Sequence, residues 1–345
     1  MTVKSFIRFV FCLALLSLIK FTHADEVIKR PFSIETEKET VMAVKPDLGP
    51  IEEQDKKFNF DWNQQTTIAA NLKQIQSVEK FIASIDDASK LNKYERDALG
   101  NLLYKLGTFY SHVARDPNSA IAKLTLAAPF LTSKEAKAWN DSQLAYAYEL
   151  KYASDLQPTD KEKALYYTNK VLSERYPRTK NKIVAFAYCV KGLIESDEKD
   201  YVEAEKHLRT ALATYDAASG SKDNQYARTK NRLATTILDQ HGRDQEALTM
   251  LKQVKKYWIA NGQINHDPYA ARNLLSLGHA YLKTGNAKAA RDEFKTAIAI
   301  YKNVYGTNTM LLVKPYQLLA EAYRKLGSID QASAYDKKAS DIISA

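Results

Sequence analysis

Five histidines lie beyond residue 24: His112, His207, His241, His266 and His279. None belongs to an H-E-x-x-H helix or a comparable ligand set, so the sequence offers no zinc site. Nor is there a G-x-x-x-x-G-K-[ST] loop to cradle phosphates, a G-x-G-x-x-G turn for a dinucleotide, or a G-x-S-x-G elbow for a nucleophilic serine. Cys189, the one cysteine after residue 24, has no disulfide partner in the chain. With Phe186, Val190 and Leu193 at helical spacing around it, it reads as a buried, inert thiol. The acids from Glu195 to Asp200 read as a solvated turn rather than a catalytic carboxylate pair. The expectation is a protein without cofactor or metal that binds rather than catalyses.

The elements that must present such binding residues are helical. Apolar residues make up 45% of the 345, while glycine and proline are scarce, which suits a packed fold with few sharp turns. At the start, Lys4 and Arg8 precede the uncharged run Phe9–Ile19, and Thr22-His23-Ala24 offers a cleavage point before Asp25. This resembles a signal peptide over residues 1–24, and its apolar run is well short of the ~20 residues of a membrane span. The mature chain is therefore expected to be periplasmic or secreted, with no stable membrane span. Its formal charge falls from +9 to +6 as Lys4, Arg8 and Lys20 leave. Acids and bases are interspersed, with no basic cluster to suggest nucleic acid. Residues 25–58, with Pro31, Pro46 and Pro50 and no apolar period, read as a disordered tether. Residues 59–92 read as a capping helix region, since Ile68, Leu72, Ile75, Val78, Phe81 and Ile82 fall at steps mostly of three and four.

Beyond it the chain repeats. Ala204, Ala247, Ala290 and Ala332 are spaced by 43, 43 and 42 residues. Leu208, Leu251, Phe294 and Asp336 follow four later, and Ala211, Val254, Ala297 and Ala339 three beyond those. Gly242, Gly285 and Gly327 keep a matching register upstream, and Gly220, Gly262 and Gly306 fall between units. Small residues at fixed spacing let two antiparallel helices approach closely. One such hairpin cannot bury its apolar stripe alone, so successive hairpins must stack.

Leu277-Gly278-x-x-Tyr281 followed by Ala290-x-x-x-Phe294 resembles the tetratricopeptide signature. Leu106-Gly107-x-x-Tyr110 and Leu319-Ala320-x-x-Tyr323 are similar to its first half. The spacing, longer than the usual repeat of about 34 residues, resembles that of kinesin light chains. The resemblance covers residues 93–345 as about six units: 93–131, 138–174, 180–217, 223–260, 267–304 and 309–344. The second departs around Gln157-Pro158-Thr159, and the register of the third is open by one residue. The fold expected is an all-α, right-handed superhelical solenoid of antiparallel helix hairpins.

Such a superhelix has a concave face lined by the first helix of each unit. Projecting the register places Tyr104 and Thr108, Trp139 and Tyr146, Arg232, Arg272 and His279, and Lys314, Glu321 and Arg324 on that face, off the shared core. The early units offer aromatic and hydroxyl groups for a peptide. The late ones offer a basic stripe, Arg272, Lys314 and Arg324, for a carboxylate. The lysine-and-asparagine clamp by which some family members hold a carboxylate is not reproduced. These features imply an exported, non-catalytic scaffold holding a protein or peptide in its groove. The alternative is an enzyme, or an enzyme's accessory subunit, acting on cell-envelope polymer. The last unit ends without a polar cap, leaving Ile342 and Ile343 for a partner or for a second copy in a homodimer.

Overall fold

A computed structural model describes residues 68–85, 87–174, 181–219 and 223–345; the expected leader and tether lie outside them. The described residues form thirteen α-helices and no strand. Helix α1, Ile68–Ala83, precedes six antiparallel hairpins. These are α2 (Lys93–Phe109) with α3 (Pro117–Ala127), α4 (Lys134–Asp155) with α5 (Pro158–Ser173), and α6 (Lys182–Asp197) with α7 (Tyr201–Ser219). They continue as α8 (Asn224–Asp239) with α9 (Asp244–Ala260), α10 (Pro268–Lys283) with α11 (Ala287–Tyr305), and α12 (Val313–Lys325) with α13 (Ile329–Ser344). Each hairpin packs on the next, which makes the chain a tetratricopeptide-like solenoid. None of the described helices is long and apolar enough to cross a membrane.

Local chemistry fixes where helices begin. Asn92 caps α2 by accepting from Tyr94 and Glu95 N–H while the Glu95 carboxylate returns to the Asn92 N–H, a reciprocal capping box. Asp267 accepts from Tyr269 N–H ahead of Pro268, whose fixed φ suits the first helical position of α10. This cap sets the direction in which Tyr269 leaves the backbone.

The spaced small residues are where helices touch. Ala204, Ala247 and Ala290 are 0% exposed. A Cβ on Gly278 would lie 2.4 Å from Phe294 Cε1, and one on Gly107 would lie 2.5 Å from Leu124 Cγ. The same close approach fixes the register of the third hairpin: a Cβ on Gly192 would be 2.7 Å from Leu208 Cγ. Glu195 therefore stands where the signature has tyrosine, and its Oε2 pairs with His207 Nδ1 at 2.7 Å.

Turns after the first helices need a left-handed residue. Gly285 and Gly327 provide it in the fifth and sixth hairpins, at φ +83 and +75. In the first three, Arg115, Leu156 and Lys199 occupy that conformation at φ 58, 55 and 64. For a side chain bearing a Cβ this is a strained choice, and at Arg115 the strained residue projects inward.

The solenoid curls until its first and fifth hairpins meet. A π-helical turn, Tyr110–Ala114, extends α2. Its His112 Nδ1 lies 2.8 Å from Tyr269 Oη on α10, and Tyr305 Oη on α11 donates to the Val113 carbonyl at 3.1 Å. Helix α1 packs Ile75, Val78 and Phe81 into the apolar cluster that holds α2. At the other end, Ile343 is exposed and Ile342 half-buried against its own hairpin.

Candidate functional site

The curl encloses an open pocket of about 870 Å³ between the first, second and fourth hairpins. Tyr104 and Thr108 of α2 and Trp139 and Gln143 of α4 form one side; Arg228 of α8, Tyr257 of α9 and the backbone turn at Asn261 and Gln263 form the other. A smaller recess of about 290 Å³ continues between Asn101, Tyr104, Ser133 and Trp139. Tyr104, Thr108 and Trp139, expected from the register, thus share one wall. Burial raises the Tyr104 phenol to about 12, so it meets a ligand as a neutral hydroxyl.

At the floor of this pocket, a hydrogen-bonded chain leads inward. His112 Nε2 lies 2.8 Å from Gln143 Oε1 and Nδ1 lies 2.8 Å from Tyr269 Oη. Burial, reinforced by the Arg228 guanidinium, lowers the His112 pKa to about 3, so the ring is neutral at physiological pH. With Nε2–H donating to Gln143, Nδ1 accepts from the Tyr269 hydroxyl. The Arg228 guanidinium stacks 3.5 Å from the centre of the Tyr269 ring, a cation–π contact that holds both in place.

Behind this chain the interior is charged. Tyr146 is buried, stacks on His112 with ring centroids 4.6 Å apart, and accepts from Arg115 Nη1 at 2.9 Å. Burial opposes ionisation of the Tyr146 phenol, yet Arg115 and Arg232 bring its pKa below the ordinary value, the signature of a strongly positive field. Arg272 is half-buried in the same interior, and its Nη1 is sealed from solvent and makes no hydrogen bond. Burial, then Arg232 and Arg115, lower its pKa. The acids facing these arginines are Glu149, which burial raises to about 7, and Asp197, whose pKa burial also raises.

The remaining expected residues fall into two groups. Arg232 belongs to this interior cluster and is half-buried. His279 is half-buried, its pKa lowered by burial and then by Lys283, while Lys314, Glu321 and Arg324 are exposed on α10's neighbour α12. Arg324 is engaged by Asp336 of α13. The basic stripe is therefore not one exposed surface. Arg272 was expected to avoid the core, but the curl of the solenoid brings the first hairpin over the fifth, leaving Arg272 half-buried with its Nη1 sealed from solvent. Sequence reasoning passed over Arg115, Gln143, Glu149, Arg228 and Tyr269. The available signal was Arg228 and Arg232, one turn apart on a first helix, repeated as Tyr269 and Arg272 three apart on the next.

A tetratricopeptide repeat family model matches residues 184–256 and 269–345, the third to sixth hairpins. The curated proteins contain no match. Among solved structures, BtubC (BKLC) from P. vanneervenii is similar at 16% identity and a TM-score of 0.48, over 70% of this chain and 90% of that one. A Rap protein complexed with competence and sporulation factor is similar at 15% identity and a TM-score of 0.38, over 73% of this chain and 78% of that one.

Proposed function

We propose that this protein is an exported, non-catalytic repeat scaffold that holds a protein or peptide segment inside its superhelix. The observation that carries this reading is the open pocket of about 870 Å³, walled by Tyr104, Thr108 and Trp139 on one side and Arg228 and Tyr257 on the other. Aromatic and arginine side chains dominate binding hot spots, and here they stand on rigid helices, so little ordering is required when a segment enters. The match of four hairpins to the tetratricopeptide model supports a protein partner. An enzyme acting on envelope polymer would place paired acids in the pocket. The described acids lining the pocket and its recess, Asp223 and Glu135, stand on different hairpins, and Asp223 is ion-paired with Lys182 at 2.6 Å.

A photo-crosslinking amino acid replacing Tyr104 in the full-length chain tests the reading. Irradiation of intact cells should trap a protein or peptide adduct that mass spectrometry identifies. The same group placed at Tyr166, exposed on α5, should not trap it. Equal labelling from both positions would remove the case for the pocket. Export rests on the first 24 residues, and N-terminal sequencing of the purified protein should begin near Asp25. A protein beginning at Met1 would contradict export with cleavage. Self-association through the sixth hairpin, where Ile329 and Ile343 are exposed, predicts a dimer by light scattering that Ile329→Lys returns to monomer.

A further inference from the structure

Across His112 from the outer pocket lies a second, much smaller cleft of about 20 Å³, lined by Arg115, Tyr269, Arg272, Tyr301 and Tyr305. Its size is that of one water molecule or one small charged group. No acid lines it. Arg272 is half-buried, and its Nη1, a donor sealed from solvent, has no acceptor among the described residues. A guanidinium donor sealed from bulk solvent without a protein acceptor is a standing cost to the fold. Arg115 spends one donor on Tyr146 and holds a left-handed backbone to reach this interior. Tyr305 donates its hydroxyl hydrogen to the Val113 carbonyl, and its oxygen does not accept from Arg272 Nη1. Four arginines, 115, 228, 232 and 272, share this interior with two carboxyl groups, Glu149 and Asp197, whose pKa values burial raises.

We infer that this cleft is a subsite for one small carboxylate, which Arg272 and Arg115 receive as the missing acceptor. Its placement at one end of a bound peptide rests on the scaffold reading above, since His112 is a wall of both the pocket and the cleft. The carboxylate then comes either from the peptide's C-terminus or from an Asp or Glu side chain. A guanidinium prefers a planar, two-oxygen acceptor, which favours carboxylate over a spherical halide.

The test has two parts, both on the whole mature chain. In the first, thermal unfolding is followed while sodium formate replaces sodium gluconate at constant ionic strength. Gluconate is too large for the cleft. Formate should raise the melting temperature saturably, as ligand binding to the folded state requires. The effect should vanish in Arg272→Met, which removes an unsatisfied charge and keeps an unbranched side chain, and should persist in Lys314→Ala. A formate effect that is absent, linear, or equal in Arg272→Met overturns the subsite. Arg272→Lys, which keeps the charge but loses the planar fork, guards against misfolding of the methionine variant and should bind formate more weakly.

In the second part, fluorescein-labelled random decapeptide pools are compared by anisotropy as free acids and as C-terminal amides, each with and without Asp and Glu. Loss of about tenfold in affinity on amidation of the acid-free pool identifies the chain terminus as the source. Retention by the amidated, acid-containing pool identifies a side chain. Either difference should disappear in Arg272→Met. Pools that bind equally well in every form, to wild type and variant alike, overturn the subsite and leave the scaffold reading standing. A saturable, Arg272-dependent formate effect with no peptide binding supports the subsite for a free small carboxylate and overturns the peptide reading.

Discussion

Glu149 and His112 stand within the same interior and oppose each other in their response to pH. Burial raises Glu149 to about 7, so between the ordinary carboxyl value and pH 7 the folded chain keeps a proton that the unfolded chain releases. The stability this confers is present in acid and is lost as pH rises through 7. Burial lowers His112 to about 3, so below its ordinary value the unfolded chain binds a proton that the folded chain refuses. That contribution is present above pH 6.5 and is lost on acidification. Between about pH 4.5 and 6.5 the two slopes offset each other. Glu149→Gln should expose the histidine term. Relative to wild type, the variant should lose stability on acidification across this range by up to ~1.4 kcal/mol per pH unit. Urea unfolding at several pH values measures it, and parallel curves for the two proteins would show that Glu149 titrates as an ordinary surface carboxyl.

Within each hairpin, two kinds of glycine do different work. Gly278 leaves room for Phe294, and a Cβ there would meet the ring at 2.4 Å, with both residues sealed in the core. Gly285 has nothing within 4 Å of where its Cβ would be, but its φ of +83 disfavours a residue that bears one. Gly278→Ala should cost about 1–3 kcal/mol through overpacking despite the better helix propensity of alanine. Phe294→Leu should relieve part of that, giving a non-additive double mutant. Gly285→Ala should cost about 1–2 kcal/mol and show no such coupling to Phe294. Ala290→Trp, at a position with no exposed surface, should lower the melting temperature more than either glycine change. Thermal unfolding of the set distinguishes crowding from backbone strain, and an unperturbed Ala290→Trp would mean that α10 and α11 do not pack in this register.

The contact between the first and fifth hairpins makes the solenoid more than a stack of neighbours. In an open solenoid each repeat feels only the next, and a change in the fifth leaves the first untouched. Here Tyr305 bonds the Val113 carbonyl and Tyr269 bonds His112. Tyr305→Phe removes one hydrogen bond, worth about 0.5–1.5 kcal/mol. It should raise amide hydrogen exchange in the π-helical turn Tyr110–Ala114, far away in sequence. Exchange that changes only in α11 would show that the curl does not couple the two ends.

Fold class and hairpin order were legible in the sequence because each depends on local periodicity and on contacts between adjacent helices. Ala290 and Phe294 announce their contact with Gly278 in a pattern repeated down the chain. Tyr104, Thr108 and Trp139 were legible for the same reason: they face the groove from first helices whose register the signature fixes. The register of the third hairpin was hidden because Glu195 replaces the signature tyrosine, and only the close approach of Leu208 to Gly192 reveals it. The interior charge cluster was beyond reach of any repeat pattern. Arg115, Glu149, Arg232 and Arg272 come from four different hairpins, and what gathers them is the curvature of the whole solenoid. That curvature is the accumulated sum of small rotations between hairpins, each set by side-chain packing that no single repeat records. The sequence by itself thus determined which face of each helix points inward; the tertiary structure decided how far the faces close upon one another, and so sealed Arg272 Nη1 from solvent that an open groove would have admitted.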